Sequence, residues 1–267
     1  MAHALLKGKR GVIFGALDDK SIAWKVAERC AAEGASLTLT NVPVALRFGE
    51  LDKLAEKLGA SVIPADATSE EDLEMLFRKS QEILGGKIDF VLHSIGMSLN
   101  VRKKREYTDL NYDFMAKTLD ISAISFHKTM QTLWKLDAMA EGGSILALTY
   151  IAAQRVFPDY SEMAESKALL ESFARSFGYH WATRRKVRVN TVSQSPTVTT
   201  AGSGVKGFDV FFDYANRMSP LGNASSASCA DFCVCLFSDL TRMVTMQNLY
   251  HDGGFSQMGM NPALLDT

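Results

Sequence analysis

SILALTYIAAQRVFPDYSEMAESK, residues Ser144 to Lys167, passes from an apolar run of strand length into a segment that continues with helical spacing to about Trp181. A strand, a loop and a long helix make half of a βαβ unit, so the fold turns on whether this pattern repeats. It repeats in both directions. Upstream, Ile88 to Leu92 is another apolar run, and a mostly helical stretch from Asp113 to Leu136 lies between the two. Further back, strand-length runs at Arg10 to Phe14, Ser36 to Thr40 and Ser61 to Ile63 alternate with helical segments. Ser21 is placed to cap the first helix, whose Ile22, Val26 and Cys30 recur every fourth residue before Gly34 ends it. Leu51, Leu54 and Leu58 mark the second, which stops at Gly59, and Ser69 opens the third as S-E-E-D, with acids in the first turn. Downstream come a strand at Val187 to Val192, helices near Phe208 to Met218 and Ser226 to Phe237, and a last strand at Asn248 to His251. The pattern predicts an α/β protein, a single-domain Rossmann-like doubly wound parallel sheet flanked by helices, spanning 1–267.

Composition narrows the class. A chain of 267 residues with 47% hydrophobic content can bury a large sheet on both faces. The formal net charge of −1 gives no global attraction to nucleic acid or to an anionic membrane. No run approaches membrane-spanning length, and the first residues, MAHALLKGKRGVIFG, lack the apolar core of a secretion signal, so a cytoplasmic protein is expected. Cys229, Cys233 and Cys235 sit in the apolar segment CADFCVCLF, which reads as buried helix and not as a metal site.

In a doubly wound sheet, ligands collect where the strands end and helix N-termini present free N–H groups. After the first strand, Gly15 permits close backbone approach, and Ser21-Ile22 opens a helix facing a pyrophosphate, although the loop is not the usual G-x-G-x-x-G. Asp66, after the third strand, can accept from an adenine amino group, and the glycine of His93-Ser94-Ile95-Gly96 can let a ribose pass. The second strand ends in Asn41, Val42 and Pro43 with no acid to read a ribose 2′-hydroxyl, which leaves NADH and NADPH both open. A phenol able to donate to a developing oxyanion, with an ammonium nearby to hold a ribose, equips a chain for nicotinamide-dependent reduction. Tyr150, Tyr160 and Lys167 supply these groups. At about 100° per residue, seven residues nearly complete two turns, so Tyr160 and Lys167 are expected on one helical face.

These motifs together resemble the enoyl-(acyl carrier protein) reductases of bacterial type II fatty acid synthesis, the divergent FabI branch of the short-chain dehydrogenases, and within it the Bacteroidetes-type members. The resemblance runs through GALDDKSIA, HSIG, TYIAAQRVFPDYSEMAESKALLESFAR, VRVNTVSQSP, TAGSGVKGF and HDGGFS. Ordinary short-chain dehydrogenases place tyrosine four residues before the lysine, where this chain has Met163; Tyr-x6-Lys with a second tyrosine upstream is specific to the branch. The resemblance implies reduction of trans-2-enoyl thioesters on acyl carrier protein, with Tyr150, Tyr160 and Lys167 catalytic. It implies that Gly15, Ser21, Ile22, Val42, Asp66, Ala67, Ile95, Lys167, Thr197, Val198, Thr199, Thr200 and Ala201 bind NADH, and that Ser98 borders the substrate. It further implies a homotetramer and a substrate lid over about 197–218. Three departures stand out: Gln194-Ser195-Pro196 replaces Ala-Gly-Pro, Thr197-Val198-Thr199 lacks the usual arginine, and Asp209 and Val210 occupy positions that are basic in some members. Basic runs at Arg102 to Arg105 and Arg184 to Lys186 are alternative docking faces for an acidic carrier. A carbonyl reductase and a non-catalytic NAD(P) sensor are the competing readings.

Overall fold

The computed structural model describes residues 3–47, 49–200 and 207–264. Seven parallel strands form one sheet in the order β3-β2-β1-β4-β5-β6-β7. In chain order, β1 (Arg10–Phe14), α1 (Ile22–Ala32), β2 (Ser36–Thr40), α2 (Pro43–Leu46), α3 (Leu51–Leu58), β3 (Ser61–Val62), α4 (Glu70–Leu84) and β4 (Ile88–His93) build the first half. The second half follows as α5 (Leu99–Arg102), α6 (Tyr112–Leu119), α7 (Ser125–Lys135), β5 (Met139–Thr149), α8 (Met163–Arg185), β6 (Arg188–Gln194), α9 (Phe208–Met218), α10 (Ser226–Phe237) and β7 (Asn248–His251).

Successive strand residues face opposite sides, and both sides are buried. Ile13, Phe90, Leu92, Leu146 and Leu148 meet α1, α3 and α10, whereas Val12, Phe14, Val91, Ile145 and Ala147 meet α4, α7 and α8. Each large apolar side chain removed from water this way contributes about 1.5–3 kcal/mol, which explains strands that read as nearly continuous apolar runs.

Several boundaries depart from the sequence reading. The fifth strand begins at Met139, five residues early, through a register irregularity opposite Ile88 and Phe90. The helical stretch before it is interrupted by a π-helical turn at Asp120–Ile124, and the helix after it extends to Arg185. Ser21 occupies the N-cap of α1 but does not cap it with its side chain; its Oγ donates to the Asp18 carbonyl at 2.7 Å and accepts from Leu17 N at 3.3 Å. Ser69 does cap α4, accepting from Asp72 N at 3.2 Å.

The strand order reverses between β1 and β4, and there the carboxyl ends diverge. Gly15 stands at this crevice with φ of 89°, where a Cβ would lie 1.9 Å from the Ser94 carbonyl oxygen. Only glycine fits.

Candidate active site

Along the carboxyl ends of the strands runs a cavity of about 760 Å³. Gly15, Ser21 and Ile22 line it from the β1–α1 loop, Val42 from the end of β2, Asp66 and Ala67 from the end of β3, and Ile95 and Ser98 from beyond β4. Tyr150, Tyr160 and Lys167 line it from the β5–α8 side, and Thr197, Thr199 and Thr200 from beyond β6. Val198 stands apart, 58% exposed, and Ala201 lies outside the described residues.

The geometry that joins the two tyrosines to the lysine is not the one expected. Tyr160 is not on the helix at all: it closes a short 3-10 turn, Pro158–Tyr160, and α8 begins only at Met163. Ser161, at φ 50° and ψ −145°, reverses the chain between them. A kink, and not helical periodicity, brings Tyr160 to the cavity that Lys167 also lines. Tyr150 leaves the end of β5 in extended conformation and packs its ring on Tyr160 with centroids 5.2 Å apart.

Burial sets the protonation states. It pushes both phenols well above the ordinary tyrosine range, and for Tyr150 the charges of Tyr160 and Asp252 add to the effect. Both are therefore neutral donors, and the Tyr150 hydroxyl is buried with no protein partner. Lys167 is 7% exposed and donates from Nζ to the Leu148 carbonyl at 2.9 Å. Burial lowers its pKa from 10.5 to about 8, opposed by the negative charge of Glu171 one turn along α8. Glu171 in turn accepts from Thr149 Oγ1 at 2.9 Å and Asn248 Nδ2 at 3.2 Å, tying α8 to β5 and β7. His93, also buried, is held neutral with a pKa of about 3, first by desolvation and then by the Lys167 charge; its Nε2 lies 2.8 Å from Ser125 Oγ. A Cβ on Gly96 would sit 3.7 Å from Lys167 Nζ, in ordinary contact, so the HSIG turn passes directly beside the ammonium.

Glu162 escaped the sequence reading. It is fully buried at the N-cap of α8, and its Oε1 accepts from Ser98 Oγ at 2.6 Å, Thr118 Oγ1 at 2.8 Å and Asn100 Nδ2 at 3.1 Å. These bonds hold its pKa below the usual value against the opposing effect of burial. They also occupy the hydroxyl of Ser98, which thus shapes the wall while donating into the protein. The sequence carries no signal for this, because the donors come from two separate segments, Ser98 and Asn100 at the start of α5 and Thr118 in α6.

At the nucleotide end, Asp66 Oδ1 accepts from Thr68 N at 2.9 Å and Thr68 Oγ1 at 2.8 Å. Asn41 turns back on the chain, donating to the Ala16 carbonyl at 3.0 Å and accepting from Val42 N at 2.8 Å. Gln194, one of the three departures, donates to the Ala224 carbonyl at 2.9 Å and faces His251 Nδ1 at 2.6 Å, joining β6 to β7. Of the basic runs, Arg105 pairs with Asp109 at 2.9 Å and Lys103 stands over the Phe114 ring, while Arg184 and Arg185 share Asp137. A glycine cradle, a buried ammonium and an orphaned phenol around one cavity fit a pyridine dinucleotide.

A sequence profile of the enoyl-(acyl carrier protein) reductase family matches residues 15–256. The chain is 35% identical to enoyl-(acyl carrier protein) reductase [NADH] 1 of Rhizobium meliloti, over 97% of its own length and 94% of that protein's. Among solved structures, the FabI–NADH complex of Alistipes finegoldii is 62% identical, with a TM-score of 0.98 over 99% of this chain and 94% of that one. The Bacillus cereus enoyl-acyl carrier protein reductase with NADP+ and an indole naphthyridinone is 31% identical, with a TM-score of 0.89 over 97% of this chain and 100% of that one. Matched over nearly its whole length by these proteins, and with Tyr150, Tyr160 and Lys167 lining one cavity, this chain belongs to the FabI family of enoyl-(acyl carrier protein) reductases.

Proposed function

We propose that the protein reduces the 2,3 double bond of trans-2-enoyl thioesters on acyl carrier protein with NADH, the last step of the type II fatty acid elongation cycle. The convergence of Tyr150, Tyr160 and Lys167 on one cavity carries the reading. NADH bound there supplies the hydride that the β-carbon of the substrate receives. The Lys167 ammonium holds the ribose hydroxyls and makes negative charge less costly nearby. Tyr160 donates a hydrogen bond to the thioester oxygen as electrons collect there as an enolate; a preorganised donor in a dry site stabilises that charge strongly. Tyr150 packs against Tyr160 and fixes the wall around the thioester. A solvent-derived proton completes the product at the α-carbon.

Gly15, Ser21, Ile22, Val42, Asp66, Ala67, Ile95, Thr197, Thr199 and Thr200 hold the dinucleotide, and α9 forms part of a lid over the acyl group, whose residues 201–206 lie outside those described. The protein works in the cytoplasm as a homotetramer, supported by the family resemblance and by apolar side chains such as Leu221 and Met243, 88% and 89% exposed. Among the described residues no helix is long and apolar enough to cross a membrane.

Oxidation of NADH and of NADPH, followed in parallel with crotonyl thioester, a simple ketone and no acceptor, tests the assignment. Turnover with the enoyl thioester and NADH is expected. Turnover with the ketone alone would turn the reading into carbonyl reduction, and no turnover at all would leave a nucleotide-binding protein.

A further inference from the structure

Ser161, between Tyr160 and α8, holds a backbone conformation that serine disfavours. Its φ of 50° and ψ of −145° lie outside the left-handed helical well that Lys186, at φ 54° and ψ 21°, occupies at the other end of α8. Residues other than glycine rarely adopt such a combination, and it persists only where the surrounding structure over-determines it. The position matters because these two torsions join Tyr160, which closes the 3-10 turn, to the helix that carries Lys167. A serine released into either common well would aim the phenol elsewhere.

The contacts that fix the reversal belong to the next residue. An acid at a helix N-cap ordinarily accepts from the free N–H groups of the first turn. Glu162 makes no such bond. Its Oε1 turns instead to Ser98, Asn100 and Thr118, and each of these donors is itself held in place. Ser98 Oγ accepts from Val101 N at 3.0 Å, Asn100 exchanges two bonds of 3.1 Å with the backbone of Asn111, and Thr118 Oγ1 lies 2.9 Å from the Phe114 carbonyl. The carboxylate thus stands on α5 and α6 and not on its own helix. Met163 is held as well, by Ser122 Oγ at 3.8 Å from its sulfur, and on the other side Tyr160 N donates to the Phe157 carbonyl at 3.0 Å. Pinned before and after, Ser161 has no room to relax. Glu162 does not itself line the cavity, so any effect it has on the reaction passes through the chain it holds.

We propose that Glu162 is a positioning residue for Tyr160: its bonds to Ser98, Asn100 and Thr118 hold the disfavoured reversal at Ser161, and the reversal aims the phenol into the cavity. The proposal rests on the enoyl reductase reading above for what the phenol does there. It also gives a reason for burying a carboxylate that leaves its own helix uncapped, since the cost of removing that charge from water is met by bonds that fix the site.

The test follows NADH oxidation with crotonyl-CoA in Glu162→Ala and Glu162→Gln, each with and without Ser161→Gly. Alanine removes the acceptor, and kcat is expected to fall at least about tenfold, since a misplacement of about 1 Å can cost a hundredfold. KM for NADH should stay within about twofold, because the loss falls on the chemical step. Glutamine, which keeps an acceptor oxygen and gives up the charge, should lose less than about threefold. Glycine takes positive φ freely, so adding Ser161→Gly should raise the kcat of Glu162→Ala at least about fivefold. Alone, Ser161→Gly should unfold at a higher urea concentration than wild type, as the strain is released.

Wild-type kcat in Glu162→Ala would overturn the proposal. A loss in Glu162→Gln as deep as in Glu162→Ala would also overturn it, assigning the role to the charge. So would a loss that glycine does not rescue, which would leave Glu162 shaping only the wall at Ser98. Should the alanine variant not fold, the urea midpoint of Ser161→Gly decides, and a midpoint at or below that of wild type means that no strain is held there. If the wild-type protein reduces no enoyl thioester, the functional reading falls, and the same urea comparison still tests the reversal by itself.

Discussion

The β1–α1 loop and the β5–α8 connection both border the same cavity, yet they are built on opposite plans. In the first, the backbone carries the site: Gly15 lies in the left-handed region against Ser94, and the polar side chains are turned to local bonds, Ser21 to Asp18 and Asp18 to Lys20 N at 3.1 Å. In the second, side chains carry it: two neutral phenols, an ammonium of depressed pKa and a carboxylate with three donors lie within eighteen residues. On the proposed function, a loop of the first kind would bind a phosphate without altering any protonation state, and one of the second kind would do the proton and charge work. Substitutions should therefore act through side-chain chemistry on one side and through backbone geometry on the other.

The largest effect is expected at Tyr160→Phe. Losing an oxyanion donor costs roughly 3–4 kcal/mol of transition-state stabilisation, so kcat with crotonyl thioester should drop by about 100- to 1,000-fold. KM for NADH should hardly move, because the ring and its packing on Tyr150 remain. Wild-type turnover would transfer the donor role away from Tyr160 and erase the contrast between the two regions.

Lys167→Met separates catalytic need from stability. The lysine is charged in the unfolded chain up to pH about 10.5 but, when folded, only up to about 8, so below pH 8 burial of the charge opposes folding in full. That penalty, up to about 3 kcal/mol, is relieved as pH rises between the two values, because there the unfolded state binds more protons than the folded one. The methionine variant should lose reductase activity, yet in the absence of nucleotide unfold at a higher denaturant concentration than wild type at pH 7. The gap should shrink by pH 9.5, as urea titrations at the two pH values would reveal. A gap constant with pH would mean that Lys167 has the same pKa in the folded and unfolded protein, so that burial does not depress it.

How far these plans were visible in the sequence differs in the same way. The glycine after β1, the apolar fours of α1 and α3, and the bounds of α9 and α10 depend on local conformation and periodicity, which a sequence displays directly. The identities of Tyr150, Tyr160 and Lys167 stood out too. Their arrangement did not, since a serine at positive φ has no local signal and replaced the helical face that the spacing suggested. Glu162 was invisible for a related reason: a carboxylate can be buried only where donors meet it, and the Ser98–Asn100 segment, Thr118 and Glu162 become neighbours only in the folded chain. The early start of β5 likewise follows from the pairing of Met139 with Ile88, the chain passing through an irregularity before Ser144 in which Gly142 takes φ 73°.

On the backbone side, Gly15→Ala tests geometry alone. A methyl group at φ 89° and 1.9 Å from a carbonyl oxygen forces the β1 and β4 ends apart, at a cost of about 2 kcal/mol or more in unfolding free energy. The same displacement should weaken NADH binding while leaving the pKa of Lys167 in place, which titration calorimetry and a pH–rate profile would measure separately. A stable variant with unaltered affinity would show that the close approach of β1 to β4 is not what shapes the phosphate end.

The smallest effect belongs to Asp18→Asn, and its sign is the informative part. The carboxylate lines the cavity on the side assigned to the pyrophosphate and accepts a short hydrogen bond from Thr200. If side chains in this loop serve only local structure, removing the charge relieves repulsion of the phosphates by less than about 1 kcal/mol, and KM for NADH falls by about two- to threefold at low salt. The gain should fade at high salt, where exposed charges are screened within a few ångströms. A rise in KM would mean the reverse: the bond from Thr200 to Asp18 closes the loop over the nucleotide, and a side chain in the first region then contributes to binding as directly as those of the second contribute to chemistry.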